Sequence, residues 1–476
     1  MRDDEGGATA LRQATRLQAR YHYLSGGANT GTGWTSWSSG GGSFVSGFID
    51  DSVANGFLPV FSYYQLRESL PGRDMGEEPG IFANLASRDT MAAYFADLRL
   101  FFQKAGETGQ TAVLHVEPDL WGYLERSGGA GAPVQVGSTG LSELAGLPDT
   151  AAGLAQAVVR LRDRYAPKVL LGYHLSVWGT GEDIGRSDPS DAHIDELAAT
   201  ATSYYRALGA NFDLVFAEQA DRDAGYAAVR DGDPGAAWTA DDYTRQARFL
   251  GDVSAATGRS VVLWQLPLGN SFQNDTPKHY RDNRVQTLLG PGAAPLRKVY
   301  EDAGVIAMLF GKALPDATCA CDDDGDGRDD DGGLFKQLAN QVLDAGGDVL
   351  PGGAMTPQAA TPTRTRAPSV LVKAFAARPR VAAGTTARVT VRLTSRQTAK
   401  LVVAVQLYRP GGGTKPTYQM AFRGQRLRAG VPRTYRVSYR IPAGLKGHWQ
   451  VKVGLFDADF RKLLVWRPLA AAFRVV

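Results

Sequence analysis

The stretch TMAAYFADLRLFFQKAGETGQTAVLHVEPDLWGY, residues 90–123, decides the fold class. Its first part carries apolar residues at helical spacing and predicts a helix over 90–104. After a short polar break, the apolar run 112–117 is typical of a buried strand that ends in polar residues. The segment therefore predicts a helix followed by a strand with reactive side chains at its carboxyl end.

The same alternation of strand and helix recurs along the first 350 residues. Further strands are predicted at 20–24, 58–64, 169–174, 213–218, 261–266 and 305–310, and further helices at 151–165, 194–208, 240–257 and 334–343. Such alternation requires parallel strands joined by right-handed crossovers. It favours an α/β fold, a (β/α)8-type TIM barrel whose eighth strand lies near 348–351 or whose barrel is irregular. The run SSGGGS at 38–43 lacks the spacing of a nucleotide-binding loop, which weakens the dinucleotide alternative.

A Pro/Thr-rich linker at 351–368 separates the barrel domain, 1–350, from a smaller domain, 369–476. From 369 onward short strands of period two alternate with Gly/Pro turns, which is typical of a β-sandwich. The smaller domain holds 21 of the 52 lysines and arginines but two of the 49 acids, so its charge is about +19. This asymmetry predicts separate modules with different partners, unless the basic residues only solvate the surface.

Several classes of protein are excluded by the sequence. No run of about 18 apolar residues is present, so we expect no membrane span, and the polar first residues show no signal peptide. Two cysteines, Cys319 and Cys321, are too few for a disulfide scaffold; they are either plain loop residues or a tight local disulfide. We expect no organic cofactor and no specific nucleic-acid partner.

The predicted strand ends carry carboxylates. His115 and Glu117 share one parity with Val113, so we expect Glu117 to point into the mouth of the barrel. Glu218 ends the fifth strand. Two carboxylates in one cleft, one protonated and one ionised, are what hydrolysis of a glycosidic bond requires. Glu117 and Glu218 are the predicted catalytic pair, although a strand-end Glu is often a rim ion pair.

Aromatic and hydrogen-bonding side chains near the same strand ends are predicted to bind sugar. Rings offer flat faces for stacking, and amides, imidazoles and spare carboxylates bond hydroxyl groups. The histidines lack metal-ligand spacing, so a catalytic metal is not expected. The predicted substrate-binding residues are His22, Trp34, Trp37, Tyr64, His115, Asp119, Trp121, His174, Trp178, Asp221, Trp264, Gln265 and Asn270.

With Glu117 in LHVEPDLWGY and Glu218 in VFAEQAD, the first domain resembles TIM-barrel glycoside hydrolases that use two carboxylates at strand ends. The resemblance implies a secreted or extracellular enzyme acting on a polysaccharide or oligosaccharide, which the acidic barrel predicts to be neutral. It implies Glu117 as acid/base and Glu218 as nucleophile or base. The alternative is a carbohydrate-binding or cell-surface adhesion protein without catalysis.

The acidic run DDDGDGRDDDGG at 322–333 has the spacing of a calcium loop, with Gly327 at its sharp turn. The run resembles the calcium loops of secreted proteins, unless it is a solvated acidic turn. A structural calcium ion would order the loop after the seventh strand. The predicted ligands are Asp322, Asp324, Asp326, the carbonyl of Arg328, and Asp330.

The segment TYRVSYRIPAGLKGHWQVKVGLFDADFRKLLVW, residues 434–466, resembles Ig-like modules at the C-terminus of secreted polysaccharide-degrading enzymes. Its alternating pattern places Trp449 in the core of the module. Its strong positive charge predicts attraction to an anionic cell surface or glycan.

Overall fold

The computed structural model describes residues 7–219, 223–311, 317–319, 331–345, 370–376, 378, 380–395, 398–410, 415–458, 460 and 463–476. The chain divides into two compact units, Met1–Ala360 and Thr361–Val476. The predicted linker at 351–368 and the predicted eighth strand at 348–351 lie outside the described residues.

Seven parallel strands form the sheet of the first unit, in the order β1-β2-β3-β4-β5-β6-β7. The sequence predicts each of them to within one residue at either end. Their bounds are β1 Ala19–Leu24, β2 Leu58–Tyr63, β3 Ala112–Val116, β4 Val169–Leu175, β5 Leu214–Glu218, β6 Ser260–Leu266 and β7 Val305–Phe310.

The sheet is curled into a half-barrel. A side chain at Gly311, just after β7, would collide with the hydroxyl group of Tyr21 on β1, so the two edges approach each other. Apolar inward residues such as Val60, Val113 and Val262 fill the interior near the amino ends of the strands. The described residues thus provide seven strands of the predicted eight, and a closed (β/α)8 barrel is not established by them.

Helices cover the outer face of the sheet. In α4, Ser87 caps the first turn by accepting a hydrogen bond from the amide of Thr90, and Gly109 ends the helix in the left-handed region. The helices are α1 Ala8–Ala14, α2 Ser43–Ala54, α3 Glu77–Ala86, α4 Arg88–Thr108, α5 Leu120–Ser127, α6 Ala151–Tyr165, α7 Asp191–Ala207, α8 Ala224–Tyr226, α9 Ala240–Thr257, α10 Arg284–Leu289, α11 Ala294–Asp302 and α12 Asp331–Asp344. A short π-helix follows α8 at Ala227–Asp231. Short 3₁₀ helices lie at Trp34–Ser36, Gly72–Asp74, Gly129–Gly131, Gly137–Thr139 and Ser142–Leu144.

The second unit contains two antiparallel sheets. One has the order β13-β10-β8; the other has the order β12-β11-β14-β15-β9, whose last pair is parallel. Alternate residues of both sheets meet in one core, in which Trp449 is fully buried as predicted. An Ig-like relationship stays a prediction. The strands are β8 Val370–Ala376, β9 Arg380–Val381, β10 Thr386–Ser395, β11 Ala399–Tyr408, β12 Tyr418–Leu427, β13 Arg433–Arg440, β14 Gly447–Phe456 and β15 Leu463–Val475.

Two further features concern the chemistry of the whole chain. Among the described residues, no helix combines the length and the apolar character needed to cross a membrane. Cys319 is disulfide-bonded, so it is not a plain loop cysteine, and Cys321 lies outside the described residues.

Candidate functional site

A cleft of about 300 Å³ opens at the carboxyl ends of β3 to β6. This is the edge of a parallel sheet at which ligands usually bind, because the loops that follow the strands converge there. The residues that line the cleft are Asp119, Val177, Trp178, Asp183, Gly185, Arg186, Glu218, Gln219, Trp238, Trp264 and Gln265.

The centre of the cleft is an ion pair between neighbouring strands. Nε2 of His174, on β4, lies 2.6 Å from Oε2 of Glu218, the last residue of β5. The side chain of His174 is fully buried, whereas that of Glu218 is 15% exposed. Burial by itself lowers the pKa of His174, but the charges of Glu218 and Asp119 outweigh it and hold the pKa above its ordinary value. The raised pKa favours the protonated imidazolium form of His174, and the contact with Glu218 is an ion pair in that form.

Behind this ion pair, a chain of polar side chains runs across the interior of the half-barrel. Nδ1 of His174 lies 2.9 Å from Nε2 of His115 on β3, and Nδ1 of His115 lies 3.3 Å from Oγ of Ser62 on β2. The indole of Trp264, on β6, donates to the same Ser62 oxygen at 2.9 Å.

The protonation states along this chain follow from the pKa values. Burial and the neighbouring charge of His174 hold the pKa of His115 well below its ordinary value, so His115 is neutral. With His174 donating from Nδ1, His115 must accept at Nε2 and carry its own proton on Nδ1, facing Ser62. The chain is therefore directional, and it holds the imidazolium of His174 against Glu218.

Asp119 completes a carboxylate–imidazole–carboxylate cluster. One donor atom each of Asp119, His174 and Glu218 lies within 4.8 Å of the other two, a spacing that a metal ion could bridge. In a tetrahedral metal site, however, bonds of about 2.0–2.2 Å place ligand atoms about 3.3 Å apart. The 2.6 Å contact between His174 and Glu218 is shorter, and it fits a direct ion pair better than a pair of metal ligands.

A third carboxylate enters the cleft from the long loop between β4 and α7. Burial raises the pKa of Asp183, and the charge of Glu218 raises it further, although a hydrogen bond from the amide of Gly185 opposes this at 2.9 Å. The guanidinium of Arg186 is 3.7 Å away but is largely exposed. The site thus holds carboxylates in two different settings: Glu218 lies beside His174, and burial raises the pKa of Asp183 above its ordinary value.

Three tryptophans shape the cleft. Trp264 is nearly buried and forms its floor, with its ring 4.7 Å from that of His115 and 5.6 Å from that of His174. Trp178 and Trp238 are half-buried and form walls. Indole rings on the walls of a polar cleft offer flat apolar faces bordered by hydrogen-bonding groups, which suits the alternating faces of a sugar ring.

The backbone at the mouth adopts unusual conformations. Glu117, Asp119 and Gln265 have φ values of 45°, 69° and 57°, in the left-handed region that residues with a side chain rarely adopt. Glu117 and Asp119 follow β3, and Gln265 lies near the end of β6. Such strain persists only where the surrounding structure enforces it, and it is concentrated at functional sites.

Glu117 does not line the cleft, contrary to the expectation from strand parity. Because β3 ends at Val116 and φ of Glu117 is positive, the alternation of side chains stops before this residue. Oε1 of Glu117 accepts hydrogen bonds from the amides of Gln65 and Leu66 at 3.1 and 3.3 Å. Burial raises its pKa to about 8. Glu117 thus fixes the loop after β2.

Of the other predicted site residues, Asp119, Trp178, Glu218, Trp264 and Gln265 line the cleft, and His115 and His174 lie directly behind it. Asp221 lies outside the described residues, as do the predicted calcium ligands Asp322, Asp324, Asp326, Arg328 and Asp330. The calcium site therefore stays a prediction.

The remaining predicted residues do not line the cleft. Trp34 and Trp121 are buried, and their indoles donate to Asp97 at 2.7 Å and to the carbonyl of Val116 at 2.9 Å. His22 and Trp37 pack against each other, and His22 also packs against Phe44. The hydroxyl of Tyr64 donates a hydrogen bond to Oε1 of Glu77 at 2.9 Å. Asn270 accepts a hydrogen bond from the amide of Phe272 in its own loop.

The sequence interpretation missed Asp183 and Trp238. Asp183 lies in an irregular loop and Trp238 just before α9, so neither is at a strand end. The one available signal was the length of the β4–α7 loop, residues 176–190, because long loops in a compact domain are often functional.

No protein-family model and no curated protein matches the sequence. Among solved structures, a β-glucosidase from Listeria innocua in complex with glucose is 11% identical with a TM-score of 0.16, covering 66% of this chain and 41% of its own. β-Glucosidase 3B from Thermotoga neapolitana, in complex with glucose, is 13% identical with a TM-score of 0.15, covering 60% and 39%. The C-terminal domain of wzt is 11% identical with a TM-score of 0.19, covering 24% and 80%. Similarity at these TM-scores establishes neither a shared fold nor a shared function. The chain spans about two-fifths of the length of the β-glucosidases.

Proposed function

We propose that the first unit is a glycoside hydrolase that cleaves a neutral polysaccharide or oligosaccharide, and that Glu218 and Asp183 carry the reaction. The observation that carries the proposal is the contrast between two carboxylates in one tryptophan-lined cleft. Glu218 lies against the imidazolium of His174, and the buried setting of Asp183 raises its pKa. Hydrolysis of a glycosidic bond needs one carboxyl of each kind.

In the proposed reaction, protonated Asp183 gives its proton to the glycosidic oxygen as the bond to the anomeric carbon breaks. The Glu218 carboxylate either attacks the anomeric carbon or takes a proton from the water that attacks it. In the first case, Asp183 later removes a proton from the water that releases the sugar. Either path consumes one water for each bond broken. The first path returns both carboxyls to their starting forms. In the second, Glu218 ends protonated and Asp183 ionised, and exchange of protons with solvent restores them before the next turnover.

The histidine chain has a supporting role in this proposal. The imidazolium of His174 offsets the charge of Glu218 and fixes its orientation, and His115 and Ser62 fix the imidazole in turn. Asp119, near both groups, is placed to accept hydrogen bonds from sugar hydroxyls or to stabilise positive charge that develops at the anomeric carbon.

A neutral substrate is favoured by the charges that surround the cleft. Asp119, Asp183 and Glu218 line it together, with Arg186 as the basic residue among the lining side chains. A uronic acid would place a further negative charge beside Asp119 and Glu218, which repels it. Trp178 and Trp238 would bind sugar rings through their apolar faces, which requires no charge.

The test is release of reducing sugar from a panel of neutral and acidic polysaccharides. Glu218→Gln and Asp183→Asn are expected to reduce turnover by at least about 100-fold, because each removes a group that transfers a proton or forms a bond. Asp188→Asn is the matched control, since Asp188 lies in the same loop as Asp183 but its side chain is 90% exposed. Turnover by both active-site variants at the wild-type rate would refute the assignment.

Binding without turnover would instead support the carbohydrate-binding alternative. Release of reducing sugar separates the two cases, and isothermal titration calorimetry with the same oligosaccharides measures the binding. A Trp178→Ala variant should lose affinity in either case, which tests the cleft as the binding site.

A further inference from the structure

Four arginines of the second unit share one face of its smaller sheet. β10 and β13 are antiparallel neighbours, so residues opposite each other project to the same side. On the side away from the core, the pairs place Arg388 and Arg392 of β10 beside Arg436 and Arg440 of β13. All four arginines are exposed. We call this surface the arginine face.

The four arginines form a regular row. Arg440 stands opposite Thr386, Arg388 opposite Ser438, Arg436 opposite Thr390, and Arg392 opposite Thr434. Successive arginines along the row therefore alternate between β13 and β10. Since every second residue of a strand advances about 6.7 Å, the row holds a cation about every 7 Å and spans about 20 Å.

The chemistry of this row suits an extended chain of anions. Each guanidinium can bond a carboxylate, sulfate or phosphate with two parallel hydrogen bonds. The residues between the arginines on β10 and β13 are threonine and serine, whose hydroxyls both donate and accept hydrogen bonds. Acids to neutralise the row are scarce, since residues 369–476 hold only Asp457 and Asp459.

We propose that the arginine face is a binding site for a linear anionic polysaccharide that lies along the row. A polysaccharide is favoured over a single-stranded nucleic acid because the latter binds chiefly by stacking its bases on aromatic rings. On this face β10 and β13 present arginine, threonine and serine, and the register places Phe375 of the neighbouring β8 opposite Thr390. One aromatic position thus adjoins the row, whereas successive bases need a series of rings. Sugar hydroxyls, in contrast, match the threonines and serine between the arginines.

This site is independent of the cleft in the first unit, and its ligand is not the proposed substrate. A neutral substrate and an anionic polymer bound by a separate module are compatible, because the second unit would hold the enzyme on a charged matrix. Loss of binding at the arginine face therefore leaves hydrolysis of a soluble neutral oligosaccharide unchanged, and failure of either proposal can be recognised separately.

The test uses the full chain and immobilised polygalacturonate, with dextran sulfate, neutral dextran and single-stranded oligothymidine as further ligands. The variant changes Arg388, Arg392, Arg436 and Arg440 to Gln. Its matched control changes Lys400, Arg409, Lys415 and Lys446 to Gln, which are exposed residues of the same unit and remove the same charge.

The arginine-face variant is expected to bind polygalacturonate or dextran sulfate about 100-fold more weakly, with a logarithmic salt slope reduced by about 3. The control should change less than about fivefold. A third variant with lysine at the four positions keeps the charge but loses the paired hydrogen bonds, and an intermediate loss of about tenfold supports the row geometry. Circular dichroism shows whether each variant is folded.

Equal weakening of the arginine-face variant and its control would overturn the proposal, because binding would then depend on net charge alone. Tighter binding of oligothymidine than of both acidic polysaccharides, lost in the arginine-face variant, would overturn the choice of partner. Binding of neutral dextran with the same affinity would show that the arginines are not the recognising groups.

Discussion

Glu117 offers the sharpest test of how the site is built, because its carboxyl is buried and its pKa is raised from an ordinary value near 4.5 to about 8. Between these two pH values the folded protein holds a proton on Glu117 that the unfolded chain has lost. Unfolding then releases a proton, so it becomes more favourable as pH rises. The free energy of unfolding falls by about 1.4 kcal/mol per pH unit from this group.

Over the whole interval the loss is about 5 kcal/mol, an upper figure because the buried site relaxes around the charge. A Glu117→Gln variant cannot ionise. Its amide oxygen still accepts from the amides of Gln65 and Leu66, while its amide nitrogen replaces an oxygen in the same buried space. We expect the variant to be about 1 kcal/mol less stable than wild type at pH 5 and more stable than wild type at pH 8.

The assay is denaturant unfolding at pH 5, 6, 7 and 8, followed by tryptophan fluorescence, since six of the eight tryptophans lie in the first unit. Asp97, whose pKa burial raises to about 6, contributes a pH dependence of the same sign to both proteins. Because its charge also raises the pKa of Glu117, this contribution cancels only in part in the difference. Glu125→Gln is a second comparison, because burial raises the pKa of Glu125 to about 7. The difference in unfolding free energy between wild type and Glu125→Gln should therefore stop changing at a lower pH than the difference for Glu117→Gln.

A stability difference between wild type and Glu117→Gln that stays constant from pH 5 to 8 would refute this reasoning. Activity provides an independent check. If Glu117 only fixes the loop after β2, the folded variant hydrolyses substrate at close to the wild-type rate. A folded variant without activity would return Glu117 to the reaction, as the sequence resemblance implies.

Two further changes test the site and its surroundings. His174→Asn removes the cation beside Glu218, and kcat should fall by about 100-fold with little change in KM, as measured by steady-state kinetics on the folded variant; unchanged kcat would exclude a role for the imidazolium. Arg284→Met leaves the buried carboxylate of Asp282 without its partner at 2.7 Å and should lower the free energy of unfolding by about 3–5 kcal/mol. A loss below about 1 kcal/mol in denaturant unfolding would show that water reaches Asp282.

The sequence was sufficient to predict the seven strands because each is a short apolar run with clear polar ends, such as 112–116 and 169–175. It was also sufficient to place His115, His174 and Glu218 near one another, since the carboxyl ends of parallel strands share one edge. It could not reveal how far the sheet closes, because closure depends on strand tilt and stagger, and these leave no periodic signal.

The direction of a side chain just beyond a strand was equally beyond sequence reasoning. Strand parity predicts inward pointing only while the backbone stays extended, and the positive φ of Glu117 ends that condition one residue after Val116. Glu218 is the last residue of its strand and keeps the parity. One residue of difference in strand length thus separates a carboxylate in the cleft from one buried behind it.

The interior of the half-barrel explains why the reactive groups gather at one end. Near the amino ends of the strands, inward positions hold Val60, Val113 and Val262, which need no partners. Two residues further along the same strands stand Ser62, His115 and Trp264, each with a polar atom that must be bonded because water is excluded. These polar atoms find hydrogen-bond partners only on neighbouring strands, so they form a chain of hydrogen bonds across the sheet. The charged group at the end of that chain must lie where water or a ligand can solvate it. Glu218, partly exposed in the cleft, is that end, so a substrate that excludes water there would contact a carboxylate already oriented by the buried chain.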